Sequence, residues 1–248
     1  MKTEFETAFL LHRFNYRETS LLLDVFTREY GRLNLVAKGV RTKKSKKSAL
    51  LQPFQKLRIS WSGKSELMNL VDVESCGKNT VLSGESVLSG FYINELLVRL
   101  LHKHEAHPDL FDIYQDTLVL LNDTGDKAQY AMRMFEIRLL ESLGYGLILD
   151  HVAETGEKID DQSKYYYQPD RGPLTSVPAD NNYLLVSGKV LKGLSTKKLP
   201  NAQLLRESRK FMRFILDMHI GTKPLSSRNL YRAYLKNKNP GTVVKHDE

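Results

Sequence analysis

The densest chemistry in this sequence is cationic. From Tyr30 to Ser65 it carries ten basic residues, Arg32, Lys38, Arg41, Lys43, Lys44, Lys46, Lys47, Lys56, Arg58 and Lys64, and no Asp or Glu. Such a run is either a solvated loop or the seat of a polyanion. If several of these side chains neutralise phosphates, each releases counterions, and binding becomes steeply salt-dependent with little sequence preference. Single-strand binding normally adds aromatic platforms, worth roughly 1–3 kcal/mol per stacked base. Phe14, Tyr16, Tyr30 and Phe54 are near enough in sequence to serve, or else to pack in or at the rim of the same domain. A second basic group, Arg206, Arg209, Lys210 and Arg213, falls within about a third of a helix circumference.

Other patterns carry less. Gly63-Lys64-Ser65 resembles the end of a phosphate-binding loop, but Arg58 stands where that motif needs its first glycine, so the segment reads as a hairpin turn. His102, His104, Glu105 and His107 are spaced one residue short of the H-E-x-x-H zinc motif, and they suit the end of a helix, where cations meet its dipole. Ser195 to Lys198 matches S-x-x-K without any accompanying element. No Ser/His/Asp set or glycine-rich dinucleotide loop is present, and a binding protein is expected rather than an enzyme. Arg133 and Arg138 lie on a strongly apolar helical segment. Each either pairs with Glu136 or Glu141 or captures the carboxylates of an acidic, hydrophobic peptide.

The elements that must position these groups change character along the chain. Residues 1 to about 80 read as five strands. In KLRISW, Leu57, Ile59 and Trp61 alternate with Lys56, Arg58 and Ser60, and in RLNLVAK, Leu33, Leu35 and Ala37 share one face. Five short strands with long loops predict an OB-fold barrel, whose loops are where such folds grip oligonucleotides. From residue 84 the period becomes helical. One helix carries Phe91, Leu96, Leu97 and Leu101; a second, opened by Pro108, carries Leu110, Tyr114, Leu118 and Leu121; a third carries Met132, Phe135, Leu139 and Leu143 and stops at Gly144. Short connections predict an antiparallel bundle. Tyr145 to Pro200 holds four of the eight prolines and reads as a loop-rich insert. An amphipathic helix follows, with Leu204, Phe211, Ile215 and Met218 opposite its basic face, and then a shorter basic helix in SSRNLYRAYLKNKN. The fold class is therefore α+β. Residues 1–80 form the barrel, 81–145 and 187–240 a helical domain, 146–186 a small inserted module and 241–248 a tail.

Bulk properties agree. Of 248 residues, 37 are Lys or Arg and 29 Asp or Glu, a net charge of +8, which favours nucleic acid, acidic proteins or an anionic membrane surface as partner. The single cysteine, Cys76, excludes an intrachain disulfide and a cysteine zinc cage. Without a signal-like apolar run or a stretch long enough to cross a membrane, a soluble, cytoplasmic protein is expected.

The blocks ETSLLLDVFTREYGRLNLVAKGVR, LQPF, SGFYINELLVRLL, FEIRLLESLGYG and KPLSSRNLYRAYL resemble, in order and spacing, the RecO family of recombination mediators. The resemblance implies an N-terminal OB-fold, a helical domain and an inserted module. It also implies a protein that binds single- and double-stranded DNA and anneals strands coated by single-stranded DNA-binding protein. Such a protein assists RecA loading together with RecR and RecF. Arg133 matches a family position that takes part in capturing the acidic tail of single-stranded DNA-binding protein. Many members carry four cysteines in the insert that hold zinc. The corresponding region here, GYGLILDHVAETGEKIDDQSKYYYQPDRGP, has none, so this chain resembles a zinc-free branch in which no cofactor is expected. An RNA- or ribosome-associated OB protein is the alternative reading of the same charge.

Overall fold

The computed structural model describes residues 3–42, 45–77, 80–123 and 125–238. Lys43 and Lys44 of the basic run lie outside the described residues, as does the 241–248 tail. Contacts divide the chain into two compact units, residues 1–106 with 220–248, and residues 107–219.

In the first unit the alternating segments become strands β1 (Glu6–Tyr16), β2 (Ser20–Thr27), β3 (Gly31–Ala37), β4 (Lys56–Ser62) and β5 (Leu67–Ser75). They close into a barrel in the order β1-β2-β3-β5-β4. β1 pairs with both β2 and β4, and the one parallel seam joins Asn34–Val36 of β3 to Leu67–Asn69 of β5. That closure is the five-stranded OB topology. Leu33, Leu35, Leu57, Ile59, Trp61 and Met68 fill the interior, so the expected inward alternation holds on β3 and β4. The β3–β4 connection carries a single helical turn, α1 (Lys47–Leu50), followed by Leu51, which enters the barrel core.

Helix α2 (Glu85–Leu100) packs on the barrel through a close approach and polar staples. Gly90 faces Phe54 and Leu82 so tightly that an added Cβ would fall 2.6 Å from Leu82, and the Asn94 amide donates to the Leu11 carbonyl (2.8 Å). Gly31, with φ +67°, turns β2 into β3 directly under the Glu105 carbonyl, where a Cβ would lie 1.9 Å away. Helix α7 (Ser226–Lys238) runs antiparallel to α2. Its Ser226 and Ser227 amides and the Ser227 hydroxyl donate to the Glu95 carboxylate, while Lys238 pairs with Glu85 at 2.7 Å.

In the second unit, α3 (Pro108–Leu120) and α4 (Asp126–Ser142) pack together, Tyr114 against Phe135 at 6.3 Å. α4 ends as the sequence predicts. Gly144 takes φ +80°, its amide donates to the Glu141 carbonyl and the Tyr145 amide to the Leu140 carbonyl, which is a Schellman closure. The insert is more ordered than a loop-rich segment: β6 (Lys164–Gln168), β7 (Gly172–Leu174) and β8 (Leu184–Ser187) form a sheet in the order β7-β6-β8. α5 (Gly188–Ser195) and α6 (Ala202–Ile220) follow. Phe211 and Ile215 of α6 are buried as expected, but Leu204 is only half-buried and Met218 is exposed. The buried stripe also takes in Leu205, Ser208, Met212 and Leu216, with the Ser208 hydroxyl donating to the Leu205 carbonyl.

Candidate nucleic-acid interface

Strand alternation puts His12, Phe14 and Tyr16 on the outward face of β1. The His12 and Phe14 rings stack at 4.1 Å and 27°, and Phe14 is 54% exposed. A large apolar ring held flat and open to solvent offers a π-face to any unstacked base. Opposite Phe14 the register brings Leu22 of β2, and beyond it Val36 of β3, so the aromatic pair continues into an apolar strip.

Cations border this strip at one end of the barrel. The Arg17 guanidinium lies 5.2 Å from the centre of the Tyr16 ring, at cation–π range. The Arg41 amide donates to the Thr19 carbonyl (2.9 Å) and its guanidinium to the Arg17 carbonyl (3.1 Å), so Arg41 is held against the β1–β2 turn. Lys38 is exposed and follows Ala37, which pairs with Leu21, at the same end. His12, Phe14, Tyr16, Arg17, Lys38 and Arg41 thus form an aromatic platform with a basic rim.

The remaining basic residues differ in availability. Lys46 is exposed. Lys47 bonds Asp72 (2.8 Å) and the Val71 carbonyl (3.2 Å), so part of its charge is spent inside the chain. Lys56 and Arg58 lie on β4 opposite Phe9 and Thr7, and Arg58 covers the Phe5 ring at 5.1 Å with Glu74 3.8 Å away. Arg32 is turned inward: it donates to Asp24 (3.0 Å) and to the carbonyls of Val98 (2.5 Å) and Leu101 (2.8 Å), fastening β3 to the end of α2. Burial pushes the Asp24 carboxyl above its ordinary value, and Arg32 pulls it back. On α6, Arg206, Arg209, Lys210 and Arg213 are all exposed, with Arg213 3.7 Å from Asp217. Of the aromatic candidates, Phe54 is buried against Phe91, and Tyr30 is exposed but packs edge-on to Trp61. Sequence reasoning passed over His12 and Arg17, although the period-two spacing His12, Phe14, Tyr16 was there to be read.

Arg133 is buried on α4, its guanidinium forked onto both carboxylate oxygens of Glu136, with the Nε bond at 2.7 Å. Arg138 makes the equivalent exposed pair with Glu141 at 2.7 Å.

The insert does not fit a zinc cage. His151 bonds Asp150 (2.7 Å), and among the described residues no group of three or more His, Cys, Asp or Glu is arranged to hold a metal ion. Its loops are tied by a carboxylate instead. Glu154 accepts from the Ser176 hydroxyl (2.6 Å) and from the Thr175 amide (3.0 Å) and hydroxyl (2.9 Å), and these bonds hold its pKa down to about 2.

The site is thus a five-stranded barrel of OB topology that carries an exposed aromatic pair bordered by cations. Comparison with known proteins makes this specific. The N-terminal model of recombination protein O matches residues 1–78, and its C-terminal model matches residues 82–229. Proteins named DNA repair protein RecO from Salmonella gallinarum, Salmonella newport and Salmonella agona are each 41% identical over 230 residues, 93% of this chain and 94% of theirs. The chain belongs to the RecO family of DNA repair proteins. Among the described residues no helix is long and apolar enough to cross a membrane.

Proposed function

We propose that this chain is a recombination mediator. It binds single- and double-stranded DNA, anneals complementary strands coated by single-stranded DNA-binding protein, and assists RecA loading with RecR and RecF. The observation that carries this reading is the His12–Phe14 stack, exposed on the barrel and bordered by Arg17, Lys38 and Arg41. The rings take bases that have left a duplex or a protein coat. The cations hold the backbone without reading sequence, so either of two complementary strands can be accepted. Lys46, Lys56 and Arg58 extend the backbone contacts within the barrel unit, and Arg206, Arg209, Lys210 and Arg213 present a further basic face on α6.

Arg133 enters this reading as the receptor for the acidic C-terminal tail of single-stranded DNA-binding protein. Because Glu136 already occupies its guanidinium, a tail carboxylate gains the arginine by sharing or displacing that partner.

The test is fluorescence anisotropy with a labelled unstructured oligonucleotide across a salt series, with structured RNA as competitor. The expected result is tight binding that weakens steeply with salt and is reduced in His12→Ala/Phe14→Ala. Preferential binding of structured RNA would contradict it and favour an RNA-associated protein.

A further inference from the structure

Helix α7 is fastened to α2 by polar contacts at both of its ends. Of its side chains only Ser227 is buried. Its N-terminal amides are held by the Glu95 carboxylate. Burial disfavours charge on Glu95, but the Ser227 hydroxyl and the Ser227 and Ser226 amides outweigh it and keep the pKa below the ordinary value. The segment leading into the helix is gripped by Arg99, which donates to the carbonyls of Ile220 (2.8 Å) and Lys223 (2.9 Å). At the far end Lys238 reaches Glu85. A helix held by both ends and barely buried leaves one long side open.

The open side has a definite chemistry. From Lys223 to Lys238 the chain carries Lys223, Arg228, Arg232, Lys236 and Lys238 and no carboxylate. Asn229, Arg232 and Lys236, spaced three and four apart, fall on one stripe, and all three are exposed. Arg232 and Lys236 make no ion pair among the described residues. Tyr231 and Tyr234 are turned partly inward, and Lys238 lies 5.8 Å over the Tyr234 ring, so this stripe offers cations and an amide but no open aromatic face. That set can hold phosphodiester oxygens and provides no aromatic ring on which a base would stack. The match to the C-terminal family model ends at residue 229, so Arg232 and Lys236 fall beyond it.

We propose that the Asn229–Arg232–Lys236 stripe of α7 is a second DNA-backbone site, which holds the complementary strand while the first strand lies on the barrel platform. The inference rests on the annealing role proposed above and adds a division of labour to it. The barrel face, with its stacking rings, requires unpaired bases. The α7 stripe contacts backbone alone and keeps its strand as that strand passes into duplex. Both surfaces belong to the same compact unit, so one body carries both strands.

The experiment compares the full-length chain, a platform variant His12→Ala/Phe14→Ala and a stripe variant Arg232→Gln/Lys236→Gln, with circular dichroism confirming the fold of each. Isothermal titration at low salt with an oligothymidylate of about ten nucleotides, within the range one OB fold covers, counts strands bound. The expected stoichiometry is two for the wild type and one for each variant. With complementary oligonucleotides free of coat protein, annealing by the stripe variant should slow on the order of tenfold, the scale of electrostatic steering. Its salt slope for binding should fall by about 1.4, two single-strand phosphate contacts' worth. A stripe variant that still binds two strands, or anneals at the wild-type rate, overturns the second site while leaving the platform intact. A platform variant indistinguishable from wild type overturns the underlying reading instead.

Discussion

Replacing Arg133 by alanine should destabilise the protein far more than it changes any surface. The Arg133 and Glu136 side chains are 4% and 1% exposed, one helical turn apart, and forked together. Their mutual attraction offsets two desolvation costs, so removing one takes from the other the opposite charge that is forked onto it in the core, at about 3–5 kcal/mol. Against a total stability of about 5–15 kcal/mol, that is enough to unfold a marginal second unit at physiological temperature. Removing both charges and keeping the volume, as in Arg133→Met/Glu136→Leu, should be close to neutral. Urea denaturation of wild type, both single variants and the double variant closes the cycle, with coupling read from the midpoints at constant m-value. The exposed pair Arg138–Glu141 serves as control, and breaking it should cost less than about 1 kcal/mol. If Arg133→Ala proves as mild as Arg138→Ala, the pair is not the buried structural element described. The double variant also separates fold from function: it should keep DNA affinity and lose binding to an acidic C-terminal peptide.

Three further outcomes are expected. His12→Ala/Phe14→Ala should weaken single-stranded DNA binding by roughly 1–3 kcal/mol per base unstacked while leaving the melting temperature unchanged, measured by anisotropy and scanning calorimetry. Arg32→Met should do the reverse, lowering the melting temperature because Asp24 loses its partner while the salt slope of DNA binding stays constant. Glu154 has a folded pKa near 2 against an ordinary 4.5, so its contribution to holding the insert is complete above 4.5 and lost as pH falls from there toward 2. Hydrogen exchange at the Thr175 amide, corrected for intrinsic rates, should show protection falling over that window in wild type and already low at neutral pH in Glu154→Gln.

Much of the barrel was legible because each strand writes its own face. Leu33, Leu35 and Ala37, or Leu57, Ile59 and Trp61, point one way by alternation alone, and that requires no knowledge of neighbours. Strand order was not legible, since the parallel β3–β5 seam joins residues more than thirty positions apart. The insert's sheet escaped because β6, β7 and β8 are short, and β7 itself begins with Gly172 and Pro173, so no periodicity develops. Charge was the least transparent signal. Arg32 and Lys38 look alike in the basic window, yet Arg32 faces an inward carboxylate and two helix-end carbonyls while Lys38 faces water. The same holds for Arg133 and Arg138, whose Glu partners at i+3 are equally visible in sequence and whose burial is not.

The central claim is that the barrel platform captures bases released from a coated strand and lets them find their complement. Its most direct test is annealing of two complementary oligonucleotides, each covered by the cognate single-stranded DNA-binding protein, with wild-type chain or with His12→Ala/Phe14→Ala. The account predicts acceleration by the wild type that disappears both in the variant and when the coat protein lacks its acidic tail. Equal acceleration by variant and wild type, or none by either, would contradict it.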